Sequence, residues 1–362
     1  MFVNQITLQN FRCFAQKTFD FSHDIALIEG VNGSGKTSLL EALHYACYLR
    51  SFRTHTPREL ICFDNNTFFI KVNFEGMQDN ASLHNKLHVG YSGKKRVVKL
   101  NDKALHSYKD LMDHFRVITV TEDDLGLIKL GPEIRRHFID QAILLYKPGY
   151  LELLKEYKIV LDNRNRLLQQ QYVNTDMYHI WTEQLWTKSV MIQSEREMFL
   201  EHLSCMVDQM LASYFPYQIK ISFAYKSKGT RHNSWEAFQE VISTSLFEQE
   251  KRFSRTLFGA HLDDILIDFQ GASSRLFASR GQQKLITLFI KLAQLKSLEE
   301  LKGAALFLLD DFMTDFDAER AEIALNALSE LKSQLIFTAP INSSLLGNML
   351  ASRGAQRIEI ST

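Results

Sequence analysis

The sequence feature that most constrains this chain is a glycine-rich segment of eight residues, Gly30-Val31-Asn32-Gly33-Ser34-Gly35-Lys36-Thr37. The apolar residues 25–28 before it are typical of a short buried strand, and residues 38–43 after it are typical of a helix. A G-x-x-x-x-G-K-[ST] match needs this strand, turn and helix context before it predicts a phosphate-binding loop. A functionless glycine turn, the alternative, is disfavoured by both flanks.

The chemistry of such a loop assigns roles to its residues. Its glycines let successive backbone N–H groups point at one anion, and the following helix adds its partial positive charge. Lys36 is expected to reach the β- and γ-phosphates and to act in catalysis, and the Thr37 hydroxyl is expected on Mg²⁺. We therefore predict that residues 30–37, together with Ser38, bind ATP.

Composition sets few further limits. Lys plus Arg and Asp plus Glu number 42 each, so any nucleic-acid contact must come from a local basic patch. The four cysteines lack the C-x-x-C pairing of a zinc site or the pattern of a disulfide framework. The start of the sequence does not resemble a signal peptide, and no window is apolar enough for a membrane span. A cytoplasmic protein without a membrane contact is expected.

Alternating apolar and polar residues predict several strands. One small sheet is expected from residues 2–8, 17–21 and 25–28, and an antiparallel meander from residues 67–75, 86–91 and 96–100. Arg12 falls in the turn before the second strand, where a solvated loop arginine is the simplest interpretation. The Lys94-Lys95-Arg96 turn is either an ordinary solvated hairpin or a phosphate contact.

The middle of the chain has a helical rhythm. Apolar residues recur at three- and four-residue steps from Pro148 to about Tyr172, and again after a polar break to about Tyr214. We predict an antiparallel pair of long helices that packs its apolar stripe in a core, with a partner-binding arm as the alternative. The expected domains are 1–140, an inserted lobe at 141–256, and 257–362.

Two acidic residues follow an unbroken apolar run at residues 304–309, which is typical of a strand buried on both faces of a parallel sheet. A carboxylate pair at the end of such a strand suits a P-loop ATPase that holds Mg²⁺ and orients water. Asp310 is expected to support the metal, and Asp311 to polarise the attacking water. Residues 334–338 are the expected next strand of that sheet.

A second motif, Ser279-x-Gly281-Gln282, opens a predicted helix shortly before Asp310 and resembles the signature motif of ABC-type ATPases. In those proteins the serine hydroxyl and the helix N-terminus bind the γ-phosphate of a nucleotide held by another subunit. The resemblance implies that Ser279, Gly281 and Gln282 contact ATP across a homodimer that nucleotide binding assembles. An exposed helix cap is the alternative.

With these motifs in place, the whole chain resembles the RecF family of SMC-like, ABC-type ATPases. The resemblance rests on several further segments: Asn10-Phe11-Arg12, Ser38-Leu39-Leu40-Glu41-Ala42, Ser51-Phe52-Arg53-Thr54, Gly131-Pro132-x-x-Arg135-Arg136-x-Phe138-Ile139-Asp140, Arg164-Asn165-x-Leu167-Leu168, Gly281-Gln282-Gln283 and Leu308-Leu309-Asp310-Asp311. It implies a mixed α/β (α+β) fold: an ABC-type P-loop head with an N-terminal antiparallel β-subdomain and an inserted helical lobe.

The resemblance also implies a function in recombinational repair and replication. Such a protein binds gapped or junction DNA as an ATP-dependent homodimer and, with RecO- and RecR-like partners, helps RecA load onto strands coated by SSB. Slow, DNA-stimulated hydrolysis of Mg-ATP would then release the DNA. Arg12 becomes a nucleotide-binding candidate, and Arg53, Lys94, Lys95 and Arg96 become candidates for DNA contact.

Some segments depart from the family pattern. Glu122-Asp123-Asp124-Leu125 stands where Pro-Glu-Asp-Leu is usual, and Thr314-Asp315-Phe316-Asp317 stands where Ser-Glu-Leu-Asp is usual. The second change keeps open an SMC-like structural module with a degenerate ATPase. A transport ATPase subunit is disfavoured by the long separation of Lys36 and Ser279, and a metabolic P-loop kinase by the presence of the second motif.

Overall fold

The computed structural model describes residues 1–78, 81–105, 108–215, 219–228, 234–341 and 343–360. Its strands are β1 Phe2–Phe11, β2 Phe14–Asp20, β3 Ile25–Gly30, β4 Phe68–Gln78, β5 Ala81–Tyr91, β6 Arg96–Leu100, β7 Lys103–Ala104, β8 Val117–Val120, β9 Ile221–Lys226, β10 Asp264–Phe269, β11 Ala272–Ser273, β12 Leu306–Leu309, β13 Gln334–Pro340 and β14 Gln356–Ile360.

The helices are α1 Lys36–Tyr48, α2 Tyr108–His114, α3 Gly126–Lys129, α4 Pro132–Tyr146, α5 Tyr150–Leu168, α6 Thr175–Tyr214, α7 Trp235–Val241, α8 Phe247–Phe253, α9 Ser274–Phe277, α10 Arg280–Lys302, α11 Ala318–Ser329 and α12 Ser344–Ala351. The two predicted long helices are confirmed as α5 and α6, although α5 ends at Leu168 and not near Tyr172.

Contacts divide the chain into two compact units, and each is assembled from separate segments. The first unit comprises Met1–Leu125, Met210–Tyr217 and Ser279–Thr362, and the second comprises Gly126–Gln209 and Gln218–Ala278. The chain therefore changes unit near residues 126, 210, 218 and 279, whereas the predicted domain boundaries lie at 140 and 256. Within the described residues, no helix is both long enough and apolar enough to cross a bilayer.

A five-stranded parallel sheet forms the centre of the first unit, in the order β14-β3-β13-β12-β8. All four residues of β12 are buried, as the apolar run predicts. Because β3, β13 and β12 are parallel neighbours, their carboxyl ends meet at one edge of the sheet. The segments that follow Gly30 and Leu309 therefore leave the sheet on the same side.

The prediction that residues 25–28 share a small sheet with residues 2–8 and 17–21 is wrong. Strand β3 pairs with β13 and β14 in the parallel sheet, while β1 and β2 belong to a separate antiparallel sheet. The physical reason lies in the burial pattern, since Ala26, Leu27 and Ile28 are apolar on both faces and suit a central parallel strand. Strands β1 and β2 carry polar side chains on one face, as a half-solvated antiparallel sheet requires.

The antiparallel sheet has the order β2-β1-β4-β5-β6-β7, which confirms the predicted meander. One face is apolar and buried, with Ile6, Leu8, Ile70 and Val72 fully inaccessible. Helix α1 packs against β1, β4 and β5 on one side and against β3, β13 and β8 on the other. The helix that follows the glycine-rich loop thus lies between the two sheets and fixes the loop to both.

The second unit contains α3, α4, α5, most of α6, and the small antiparallel sheet β11-β10-β9. Its interior is held by charged side chains that satisfy one another. Arg164 is fully buried and donates to both carboxylate oxygens of Glu250. The predicted burial of the helical stripe is confirmed, since Leu185, Ile192 and Leu203 are almost inaccessible.

Candidate nucleotide-binding site

The loop between β3 and α1 has the backbone shape that its glycines allow. Gly33 and Gly35 have φ angles of 86° and 105°, in the left-handed region that favours glycine. A Cβ atom on Gly35 would lie 2.6 Å from Cys13 Sγ and 2.7 Å from Phe14 Cζ. Both the conformation and the close approach therefore exclude a larger residue here.

One donor of this loop and the start of α1 lack partners in a manner that fits a phosphate. Ser34 Oγ is buried without a hydrogen-bond partner, and no side chain caps the N-terminus of α1. Lys36 is buried and donates to the carbonyl oxygens of Gly30 (3.0 Å) and Val31 (3.3 Å). Its ammonium group is thus held beside the first two residues of the loop, next to the N-terminus of α1 where an anion is favoured.

The carboxyl edge of the parallel sheet brings together residues that are far apart in sequence. Thr37 Oγ1 donates to Asp310 Oδ1 at 2.9 Å. Thr338, in the strand between them, donates to the same oxygen at 2.9 Å and accepts from the Asp311 N–H at 2.8 Å. The predicted link between the glycine-rich loop and the acidic pair is therefore present in the fold.

The two aspartates differ in environment. Burial raises the pKa of Asp310, while hydrogen bonds from Thr338 and Thr37 oppose that rise. Asp311 has a φ of 50°, which is uncommon for a residue with a side chain and marks local strain at the end of β12. A half-buried carboxylate followed by an aspartate with a strained backbone is typical of an active site rather than of a purely structural turn.

The Thr37 and Asp310 oxygens also fit a Mg²⁺ ion. Their separation of 2.9 Å matches the distance of about 2.9 Å between neighbouring ligands of an octahedral ion with bonds of about 2.0–2.1 Å. No group of three or more His, Cys, Asp or Glu residues suited to a metal occurs in the described residues. Magnesium usually takes few protein ligands and completes its shell with phosphate oxygens and water, so this pair is sufficient.

The second motif forms the N-terminus of α10. Ser279 Oγ accepts from the Gln282 N–H at 3.3 Å, and Gln282 Oε1 accepts from the Ser279 N–H at 2.8 Å, which is a complete capping box. The capping role leaves the Ser279 hydroxyl hydrogen available to a further acceptor. Both interpretations of this motif, an exposed cap and a phosphate contact, are compatible with that geometry.

An ionic cluster joins α10 to the segment after Asp311. Lys284 is 1% exposed, and its ammonium contacts Glu122, Asp315 Oδ2 (2.9 Å) and the Phe312 carbonyl oxygen (3.3 Å). Hydrogen bonding from Lys284 lowers the pKa of Asp315. Lys284 thus joins the two segments that depart from the family pattern, 122–125 and 314–317. The sequence analysis did not identify this lysine.

Arg12 is bound to the helix of the glycine-rich loop. Its guanidinium donates to both oxygens of Glu41 at 2.7 and 2.8 Å, and Glu41 is fully buried in α1. Ser51 donates to the same carboxylate, and Arg53 lies 3.7 Å from it with 44% of its side chain exposed. Sequence reasoning did not identify Glu41 as the residue that organises these groups, because nothing in its local pattern marks it.

The predicted basic turn is present between β5 and β6. Lys94 and Lys95 are exposed, and the Arg96 guanidinium lies 5.6 Å from the centre of the Tyr45 ring in α1. This turn therefore contacts the helix that follows the glycine-rich loop.

The arginines of the second unit have structural partners. Arg135 forms a two-pronged pair with Asp264 (2.8 and 3.0 Å), and Arg136 donates to the Asp263 carbonyl oxygen. Asp140 accepts two hydrogen bonds from Arg196, both at 2.8 Å. The Gly131–Asp140 motif thus holds α4 to its neighbours within this unit.

The chain is similar to known proteins over most of its length. Residues 2–356 match the family described as RecF/RecN/SMC N terminal domain. Among curated proteins, the "DNA replication and repair protein RecF" of Acetivibrio thermocellus is 30% identical over 93% of each chain. The protein of the same name from Acholeplasma laidlawii is 29% identical over 95% of each.

Solved structures give the same result. A structure described as the recombination mediator protein RecF-ATP in the RecFOR pathway has a TM-score of 0.81 and 28% identity, covering 94% of this chain and 92% of its own. An SMC head bound to the C-terminal winged-helix domain of ScpA has a TM-score of 0.54 and 14% identity over 96% of this chain and 92% of its own, which shows a shared fold. The predicted ABC-type head is therefore confirmed at the level of fold.

Proposed function

The chain belongs to the RecF/RecN/SMC N-terminal domain family and to its RecF branch, and from this premise we propose that it is an ATP-dependent DNA-binding protein of replication and recombinational repair. The observation that carries the proposal is the convergence of Lys36, Thr37, Asp310 and Asp311 at one sheet edge. That constellation suits a triphosphate and its metal, and a solved RecF relative contains ATP.

Each residue of the site has a separate task in this proposal. The loop N–H groups and Lys36 would bind the β- and γ-phosphates, while Thr37 and Asp310 would hold Mg²⁺. The metal would neutralise charge on the phosphate oxygens. Asp311 would accept a proton from the attacking water. Thr338, whose hydroxyl lies 3.3 Å from Asp311 Oδ1, orients this carboxylate.

ATP also assembles two copies of the chain in this proposal. Ser279, with a free hydroxyl hydrogen at the N-terminus of α10, is placed to donate to the γ-phosphate of a nucleotide on the second copy. The closed dimer grips gapped or junction DNA, and slow hydrolysis releases it. RecO- and RecR-like proteins are the proposed partners in loading RecA, supported by the RecFOR pathway named for the solved relatives.

Alternative functions have less support. A transport ATPase subunit does not explain relatives that are collinear over more than nine-tenths of both chains and are named for DNA repair. A metabolic kinase does not explain the likeness to an SMC head. A structural module with a degenerate ATPase differs from the proposal only in turnover, so it is separated by the experiment below.

The test compares DNA retention at moderate salt with and without Mg-ATP. Lys36→Ala is expected to weaken ATP binding about 100-fold, because a charge-assisted contact contributes roughly 1.5–3 kcal/mol, and to abolish ATP-dependent DNA retention. Asp311→Asn is expected to retain DNA longer than the wild type. Lys17→Ala, which removes an exposed lysine of β2, is the control. Unchanged retention in both site variants would contradict the proposal.

A further inference from the structure

Lys284 is a buried cation that contacts the chain segment immediately after Asp311. It lies in the second turn of α10, with 1% of its side chain exposed. Its ammonium donates to the Phe312 carbonyl oxygen at 3.3 Å and to Asp315 Oδ2 at 2.9 Å, and it also pairs with Glu122. The same ammonium lies 5.3 Å from the centre of the Phe312 ring. One side chain of α10 thus contacts both the backbone and the ring of the residue that follows Asp311.

The backbone of Asp311 needs support because it is strained. Its φ angle of 50° is uncommon for a residue with a side chain, and such a conformation persists only where the surrounding groups enforce it. On the amino side, the Asp311 N–H donates to Thr338 Oγ1 at 2.8 Å. On the carboxyl side, the Asp311 carbonyl oxygen accepts from Thr314 Oγ1 at 2.7 Å. The next carbonyl oxygen, that of Phe312, accepts from Lys284, which adds a charged restraint beside the strained residue.

The ion pairs of Lys284 do not by themselves explain why this ammonium is buried. Burying a charge costs free energy that ion pairing often fails to recover. Glu122 and Asp315 keep 43% and 58% of their side chains exposed, so water can solvate both carboxylates in the absence of Lys284. Pairs with such exposed partners contribute little to stability. The contact with the Phe312 carbonyl oxygen is the one that bears on the proposed site.

We propose that Lys284 is a positioning residue for ATP hydrolysis, which holds the Phe312 peptide so that the Asp311 carboxylate points at the attacking water. This role rests on the proposed function, in which Asp311 accepts the proton from that water. Thr338 contacts the carboxylate itself, whereas Lys284 fixes the backbone that carries it. Lys284 therefore acts through Asp311 and touches neither the nucleotide nor the metal.

The test compares single-turnover hydrolysis at saturating Mg-ATP with equilibrium binding of ATP and with urea unfolding. Lys284→Met, which keeps a side chain of similar length, is expected to lower the single-turnover rate about 10- to 100-fold, because a misplacement of about 1 Å can cost 100-fold. ATP affinity and the urea midpoint are expected to match those of Lys296→Met. That control removes the same charge from the same helix, about 18 Å further along.

Two further measurements separate positioning from a general loss of structure. Because Lys284 acts through Asp311, adding Lys284→Met to Asp311→Asn should lower the single-turnover rate less than twofold further. Hydrogen exchange of the segment 311–317 in the nucleotide-free protein tests the restraint without any turnover. Lys284→Met should speed this exchange about tenfold through loss of a charged hydrogen bond, and Lys296→Met should leave it unchanged.

Unchanged turnover in Lys284→Met, together with slow turnover in Asp311→Asn, would overturn the role of Lys284 and leave the proposed function standing. Fully additive effects of the two substitutions would also overturn it, because Lys284 would then act independently of Asp311. A fall in turnover matched by an equal loss of ATP affinity or by a lower urea midpoint would assign Lys284 a structural role. Wild-type turnover in Asp311→Asn would instead contradict the proposed function of Asp311, and the role of Lys284 with it.

Discussion

At the residue scale, Asp310 and Asp311 stand side by side after β12 and share Thr338 as a partner. Asp310 accepts hydrogen bonds from the Thr37 and Thr338 hydroxyls in a half-buried position, whereas Asp311 donates its N–H to Thr338 and has Oδ1 3.3 Å from the same hydroxyl. A buried carboxylate with a raised pKa costs free energy in the folded state unless a cation is bound. A role in holding a metal explains this cost, because the bound cation would remove it, whereas a purely structural role does not.

Asp310→Asn is expected to raise the melting temperature of the ligand-free protein, because a neutral amide oxygen still accepts from both threonines without the cost of buried charge. The same variant is expected to lose Mg²⁺-dependent turnover by about 100-fold or more, since the metal supplies several kcal/mol. Thermal melting with and without Mg-ATP checks both effects. A variant that melts lower and still responds fully to Mg-ATP would assign Asp310 a structural role.

Asp311→Asn is expected to lower turnover by about 10²–10⁴-fold, the usual contribution of a general base, while ATP binding is retained. Single-turnover hydrolysis and equilibrium binding of ATP measure the two quantities separately. Wild-type turnover in this variant would remove the assignment.

The residues of the site could be predicted from sequence where covalent spacing alone defines the chemistry. Lys36 and Thr37 follow from their place in the glycine-rich loop, and Asp310 from its place at the end of an apolar run. Glu41 and Lys284 could not be predicted, because their partners come from distant segments that only the fold brings together. The roles of Arg12 and Ser279 in nucleotide binding stay predictions.

At the scale of single elements, two helices connect the site to the rest of the first unit. Helix α10 begins with a capping box at Ser279, so its start is defined without a ligand. Helix α1 is tied to β8 by His44, whose Nδ1 lies 2.9 Å from Thr119 Oγ1. A substitution in each helix, at Ser279 before α10 and at His44 in α1, tests the stability of the fold separately from the binding of nucleotide.

Ser279→Asp is expected to retain α10, because aspartate caps helices as well as serine does, and to abolish ATP-dependent dimerisation by repelling the γ-phosphate. The matched control is Ser234→Asp at the N-cap of α7, where Ser234 accepts from the Ala237 N–H in the same manner. Light scattering with Mg-ATP gives the oligomeric state, and circular dichroism gives the folding. Dimers in both variants would favour the simple helix cap.

His44 is expected to make the protein less stable as the pH falls. Burial, with Lys291 nearby, lowers the pKa of His44 from 6.5 to about 3. Below pH 6.5 the unfolded chain therefore binds a proton at His44, whereas the folded protein does not. The free energy of unfolding falls by up to about 1.4 kcal/mol per pH unit between these two pKa values. Compared with His44→Gln, the wild type should show this extra slope in urea unfolding from pH 6.5 to 4.5. Parallel curves would contradict the assignment.

At the scale of the whole molecule, the general architecture was predictable and the partnership of strands was not. Alternation and apolar runs identify β4, β6, β12 and β13, because these patterns are local. The placement of β3 beside β13 and β14 depends on pairing across more than 300 residues, which no local pattern encodes. The division into two units, each built from separate segments of the chain, likewise depends on long-range contacts that no local pattern encodes.

We propose that two copies of this chain share ATP between the loop at Lys36 and the helix end at Ser279. The light-scattering mass of Asp311→Asn at saturating Mg-ATP tests this sharing, because blocked hydrolysis makes the closed state persist. We expect twice the mass of one chain, and a single-chain mass when Ser279→Asp is added. A single-chain mass for Asp311→Asn, with ATP shown to be bound, would contradict it.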